Sequence, residues 1–229
     1  MNSTIVALLP MKGNSERVPN KNMREFSGKP LYQATLDVLL ECSVIDKVVV
    51  NTDSTNIKKD IEQNYENSVI VVDRPKEICG DYVSMNKIIE HDINTQFADI
   101  FIQTHSTNPL LKKETVVEAI KKMISSIRTG HNDSIFSVTK TQKRFYNEDT
   151  TPMNHDPKML VTQHLRPIFE ENSCFYIFTK ESFIMNENRI GSKPFMFEID
   201  KIEATDIDDL EDFIIAETLY KELRLKKSK

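Results

Sequence analysis

Lys12, Arg17, Lys21 and Arg24 lie in one polar segment that follows the apolar run from Ile5 to Leu9, closed by Pro10. Cations at that density suit an anionic ligand such as a nucleotide triphosphate, because lysine and arginine give charge-assisted hydrogen bonds to phosphate oxygens. Gly13 would let the backbone approach a ligand closely, and Pro19 stiffens the loop. The opposite end of the chain holds the counterpart, a carboxylate-rich stretch from Glu203 to Asp212 that spaces Asp206 and Asp208 as Asp-Ile-Asp. In an extended segment such a pair projects to one side. Two adjacent carboxylates suit a hard divalent cation, since magnesium takes one or two of them together with waters and phosphates. A competing reading is an acidic helix start stabilised by the helix dipole, which accounts for Asp209, Glu211 and Asp212.

These side chains need elements to position them. Ile5–Leu9 reads as a buried strand, and a helix starting near Pro30 would carry Leu31, Ala34, Leu36, Val38 and Leu39 inward. Further strands are expected at Lys47–Asp53, where the strand runs into a turn, and at Ser68–Val72, Asp99–Gln103, Ser134–Val138, Ser173–Phe178 and Phe195–Ile199. Helices are expected from near Asn56 (capped by Asp53 or Ser54), over Met85–Ile93, over Glu114–Ile127 and over Asp208–Leu225. Strand and helix alternate, so the expected fold is α/β: a mostly parallel, doubly wound sheet with helices on both faces and ligand loops along one rim. The pattern loosens over 140–166, a polar segment with Pro152, Pro157, Tyr146, Met153, Met159 and Leu160. It is too long for a plain connection, and a disordered flap is one reading of it.

Composition sets outer bounds. The 229 residues suffice for one large domain and a single core, and no boundary is evident within 1–229. The three cysteines, Cys42, Cys79 and Cys174, are widely spaced and form no Cys-x-x-Cys, which argues against structural zinc or a disulfide framework and fits a reducing cytoplasm. The first apolar run stops at Pro10, so neither a signal peptide nor a membrane span is expected. A formal charge of −5 argues against a dedicated nucleic-acid surface. The basic tail from Lys221 reads as the solvated end of the last helix. The loop is neither a Walker A motif, because Gly28-Lys29 is followed by Pro30, nor a Gly-x-Gly-x-x-Gly turn.

Lys12, Gly13, Ser15, Arg17, Pro19, Lys21 and Asn22, followed by Gly28-Lys29-Pro30-Leu31, resemble the opening signature of the CMP-sialic acid synthetases, the cytidylyltransferases that activate acidic sugars. That resemblance extends through the chain in family order. It implies a nucleotide site of Lys12, Gly13, Asn14, Ser15, Arg17, Lys21, Asn22, Arg74, Asp81 and Ser84. It implies contacts to the sugar acid from His105, Thr107, Asn108, Arg166 and Asn172, where His105 replaces a glutamine common in the family and residues are inserted between Arg166-Pro167 and Asn172. It assigns Mg2+ to Asp206 and Asp208, and makes the 140–166 segment a dimerisation arm, hence a homodimer. The implied reaction is transfer of CMP from CTP to a sialic or related nonulosonic acid, with Lys12, Lys21, Asp206 and Asp208 at the chemistry. A same-fold enzyme using another NTP or acceptor, and a non-catalytic nucleotide-binding module, are the alternatives.

Overall fold

The computed structural model describes residues 3–158 and 161–227. From the N-terminus, β1 (Ile5–Leu8) leads through a small hairpin, β2 (Glu25–Phe26) and β3 (Lys29–Pro30), into α1 (Tyr32–Glu41). There follow β4 (Lys47–Thr52), α2 (Thr55–Tyr65), β5 (Ile70–Asp73), α3 (Met85–Thr95), β6 (Ile100–Thr104) and α4 (Lys113–Thr129). The chain closes with β7 (Ser134–Thr141), β8 (Ile168–Phe178), α5 (Lys180–Asn186), β9 (Pro194–Glu198) and α6 (Leu210–Lys227). The main sheet has seven strands in the order β5-β4-β1-β6-β8-β7-β9. It is mostly parallel; only β8 runs against its neighbours, antiparallel to both β6 and β7.

Period-two alternation sorts the strand side chains between two cores. Ile5, Ala7, Val48, Val50, Ile100 and Ile102 face α1, α2 and α4, whereas Val6, Leu8, Val49 and Phe101 face α3 and α5. Both faces are therefore covered, as the near-continuous apolar runs require of a doubly wound sheet. Ser54 caps α2, its hydroxyl accepting from the Ile57 amide at 3.3 Å.

Three local features differ from the sequence expectation. The long polar loop contains the β2–β3 hairpin, turned by Ser27 and Gly28, both at positive φ (55° and 90°). The hairpin buries Phe26 against Phe213 and Tyr220 of α6, in a small third core shared with Leu31, Ala34 and Ile207. Helix α1 accordingly starts at Tyr32, after Pro30, which is a strand residue. Finally, β7 and β8 are longer than expected: β7 runs to Thr141, inside the 140–166 segment, and β8 starts at Ile168, just beyond its end. What remains between them holds an isolated bridge between Tyr146 and Pro152. Met159 and Leu160 lie outside the described residues. Tyr146 and Met153 are exposed, at 57% and 62%.

Between the pairs Phe136/Tyr176 and Val138/Glu171 the register advances two residues along β7 and five along β8. The extra residues form a bulge around Asn172 and Ser173, with Ser173 at φ 57°. Bulges of this kind re-aim side chains beside binding sites, and this one faces the Asp206–Asp208 segment across a cavity.

Candidate active site

The cationic loop is pinned on every side. Beyond Pro10 it continues alongside β4, with the Met11 amide donating to the Asn51 carbonyl at 2.9 Å. The Gly13 amide donates to Asp53 Oδ1 at 2.6 Å, and a Cβ on Gly13 would lie 2.8 Å from Ser54 Cβ. Gly13 is thus required for contact with the cap of α2; its close approach is to protein. Asn22 donates to the Lys12 carbonyl at 2.9 Å and accepts from the Ser106 hydroxyl at 2.6 Å, so it joins the loop to the end of β6. Lys12, Ser15, Lys21 and Asn22 then line a cleft of about 260 Å3 with Met11, Arg74, Asp81, His105 and Thr107. Asn14 is exposed and lines neither this cleft nor the larger cavity at Asp206.

The same loop reaches the carboxylates. Lys21 is buried, and its Nζ donates to the Ile207 carbonyl at 2.5 Å and to the Asp208 carbonyl at 3.3 Å. Burial lowers its pKa, while Asp206 and Asp208 oppose that shift. Arg17 pairs with Asp208 at 2.7 Å. The Ile207 amide donates to the Thr107 carbonyl at 2.9 Å, and Thr107 also hydrogen-bonds the Asp206 carboxylate. Asp206 opens on a second cavity, of about 420 Å3, shared with Asp208, Lys143, Lys201, Glu170, Glu171, Asn172 and Ser173. Desolvation, and then the charge of Asp208, raise the Asp206 pKa. A carboxylate whose ionisation is disfavoured by burial and by a neighbouring acid fits a divalent cation, which relieves that cost. Among the described residues no group of three or more such ligands occurs, and magnesium needs only one or two when phosphates complete its shell. Asp209 does something else: its Oδ1 accepts from the Glu211 and Asp212 amides, each at 2.9 Å, and Asp212 accepts in return from the Asp209 amide at 3.2 Å. That is a capping box at the start of α6.

The remaining expected residues divide. Arg74 borders the cleft, but its guanidinium bonds Asn51 Oδ1 (2.8 Å) and the carbonyls of Met11 and Asn51 (both 2.9 Å). It pairs with neither Asp73, which takes Lys58, nor Asp81, which takes Lys12 at 2.7 Å. Asn51 is in turn held by the buried Asp92 at 2.6 Å. Ser84 is the N-cap residue of α3 and lines a neighbouring cavity with Asn86, Lys87 and Phe183. Asn108 is fully buried, its amide donating to the Thr205 carbonyl at 3.3 Å; it supports the Asp206 segment from behind. Asn172 donates to Thr139 at 2.8 Å and lines the larger cavity. Arg166 is exposed ahead of β8 and lines neither cavity. The expected set is therefore brought together except for Gly13, Asn14, Ser84, Asn108 and Arg166.

Sequence reasoning passed over the group beneath His105. Arg189, from the α5–β9 connection, donates to Gln103 Oε1 at 2.6 Å, stacks 3.9 Å from the Tyr176 ring centre and lies 3.5 Å from His105 Nε2. Enclosure by protein, then the charge of Arg189, hold the His105 pKa down to about 4. The imidazole is neutral at ordinary pH. No motif marks Arg189; its neighbours come from strands far away in sequence.

A cleft lined by cations at the carboxyl ends of parallel strands, facing a carboxylate pair across the rim, defines a phosphate-binding α/β domain of the nucleotide-handling kind. The chain belongs to the cytidylyltransferase family, which it matches over residues 6–227. The pseudaminic acid cytidylyltransferase of Campylobacter jejuni is 26% identical, over 94% of this chain and 96% of that protein. The CMP-N,N'-diacetyllegionaminic acid synthase of Legionella pneumophila is 28% identical, over 94% and 95%. The N-acylneuraminate cytidylyltransferase of Escherichia coli is 25% identical over 99% of this chain, which spans 54% of that longer protein. In fold the chain is similar to a CMP:2-keto-3-deoxy-manno-octonic acid synthetase complexed with CTP (TM-score 0.69, 14% identity, 96% of this chain and 99% of the other). It is also similar to a 4-diphosphocytidyl-2C-methyl-D-erythritol synthase from Anaerococcus prevotii (TM-score 0.67, 14% identity, 96% and 97%). No helix among the described residues is long and apolar enough to cross a membrane.

Proposed function

We propose that this cytidylyltransferase transfers CMP from CTP to an acidic sugar of the nonulosonic type, releasing pyrophosphate. The observation that carries the reading is the meeting of Lys12, Arg17 and Lys21 with Asp206 and Asp208 at one rim. One set suits a polyphosphate and the other a hard cation. The names of the relatives, which act on pseudaminic, legionaminic and acylneuraminic acids, supply the acceptor class.

In the reaction the anomeric oxygen of the sugar acid attacks the α-phosphorus of CTP, its proton is lost, and the bond to pyrophosphate breaks in line. Such chemistry asks the protein for positioning and charge neutralisation rather than for a covalent intermediate. Lys12 and Lys21 hold the phosphates and offset charge building on the leaving group, with Arg17 joining once it releases Asp208. The Ser15 hydroxyl, which lines the cleft, supplies a neutral donor. Asp206 and Asp208 would hold Mg2+, which supplies Lewis-acid stabilisation of phosphate oxygens when bound. Thr107 and Lys21 keep that segment in place. His105, being neutral, can exchange a hydrogen bond with the acceptor without adding charge.

The test is pyrophosphate release with each of the four NTPs against a panel of eight- and nine-carbon sugar acids, with calorimetry of nucleotide binding beside it. CTP is expected to bind best and to turn over with at least one acid. Equal affinity for all four nucleotides would sink the CTP assignment.

A further inference from the structure

The geometry points to Arg189 as the residue that recognises the carboxylate of the acceptor, an inference that rests on the sugar-acid reading above. Taking a guanidinium out of water is costly, and proteins relieve it with a carboxylate. Arg189 has been desolvated enough to lower its pKa, yet it forms no ion pair among the described residues. Its partners are the Gln103 carboxamide, the face of Tyr176 and the edge of the neutral His105. Its Nε is buried without a hydrogen bond. Glu171, the acid that bears on it electrostatically, instead accepts the Tyr176 hydroxyl.

The surroundings fix the guanidinium rather than neutralise it. Gln103 and Tyr176 are cross-strand partners on β6 and β8, so the arginine rests on a rigid part of the sheet. His105 lines the nucleotide cleft, while Tyr176 bonds Glu171 and Ser173, which line the cavity of the carboxylate pair. Arg189 itself lines neither cavity, but it touches His105 of the cleft and Tyr176, whose partners line the other cavity; an acceptor reaching towards the phosphates would present its acid group near it. A planar, pre-oriented fork suits a carboxylate better than a lysine would. The neutrality of His105 fits the same picture, because an imidazolium beside Arg189 would be repelled by it. A merely structural arginine, clamping the α5–β9 connection to the sheet, would affect stability without regard to the charge of the ligand.

Steady-state kinetics with one sugar acid and its C1 carboxamide separate these cases, using wild type, Arg189→Lys and Arg189→Gln. Wild type should prefer acid over amide. Arg189→Gln should raise KM for the acid by about 10- to 100-fold, the scale of a lost charge-assisted contact, leave KM for CTP within about twofold, and bring the acid-to-amide ratio close to one. Arg189→Lys should fall between. If Arg189→Gln fails to give a cooperative thermal melt, the acid-to-amide ratio of Arg189→Lys decides alone. An unchanged ratio in the variants, or KM for CTP rising in step with that for the acid, overturns the inference. Absence of turnover by wild type with CTP and every acid of the panel would instead overturn the sugar-acid reading, and this inference with it.

Discussion

Asp206 and Asp209 stand three residues apart and do different work. Asp206→Asn and Asp208→Asn keep size while removing a charge, so both variants should fold and bind CTP through the cationic loop. Turnover should drop by ~100-fold or more, as expected when a main stabiliser of transition-state charge is weakened, with partial rescue by added magnesium. Asp209→Asn leaves a competent cap and should cost about 0.3–1 kcal/mol of stability with little effect on rate. Activity lost in Asp209→Asn and kept in Asp206→Asn would reverse the assignment. His105 gives a prediction of another kind. Its pKa is lowered from 6.5 to about 4 in the folded protein. Between those values the unfolded chain binds a proton that the folded one refuses, so stability is undiminished above pH 6.5 and declines as pH falls through the window. His105→Gln should flatten that decline in denaturant titrations at several pH values. A decline as steep as wild type would show that the imidazole is not the group responsible.

The cationic loop works because neighbouring elements brace it, and Gly13 shows how tightly. Gly13→Ala would drive a Cβ into Ser54, loosening the loop and raising KM for CTP. Pairing it with Ser54→Gly removes the obstruction at the cost of a few tenths of a kcal/mol in the α2 cap and should restore nucleotide binding. Failure of that rescue would mean that Gly13 meets the ligand directly. The sequence made the parallel strands and main helices legible, because apolar runs of four to six residues separated by helical periods have few other solutions. It hid the β2–β3 hairpin, since two-residue strands are too short to alternate. It also hid the start of β8, where Glu170 and Glu171 face a cavity and read as loop. The opposite sense of β8 was equally closed to view, because a buried run looks the same in either direction. At the site, Lys12, Lys21 and the aspartates were legible as a motif. Arg189 was not: a lone arginine between Asn188 and Ile190 reads as solvated, and what makes it unusual is contact with Gln103 and Tyr176. Asn108 erred in the other sense; its motif placed it near the ligand, but its side chain turns inward to the Thr205 carbonyl.

For the molecule as a whole, the segment between β7 and β8 carries exposed Tyr146 and Met153 away from the sheet, with Phe169 and Met196 also exposed. We expect it to mediate a homodimer. Light scattering of wild type at micromolar concentration should give twice the chain mass, and removal of residues 143–165 should give a monomer with impaired activity. A monomeric wild type would refute this. Two ion pairs, Lys12 with Asp81 in the cleft and Arg17 with Asp208 beside it, have a further consequence. In the resting state the protein supplies its own counterions, and the cleft behaves like an ion exchanger already loaded with carboxylate. An arriving polyphosphate would trade places with Asp81 and Asp208 rather than meet bare cations, so few salt ions would be released and nucleotide binding should depend only weakly on ionic strength. The exchange also imposes an order. On the proposed reading Asp208 would become available to a metal only after the nucleotide had drawn Arg17 away, and pyrophosphate would leave as the two carboxylates returned.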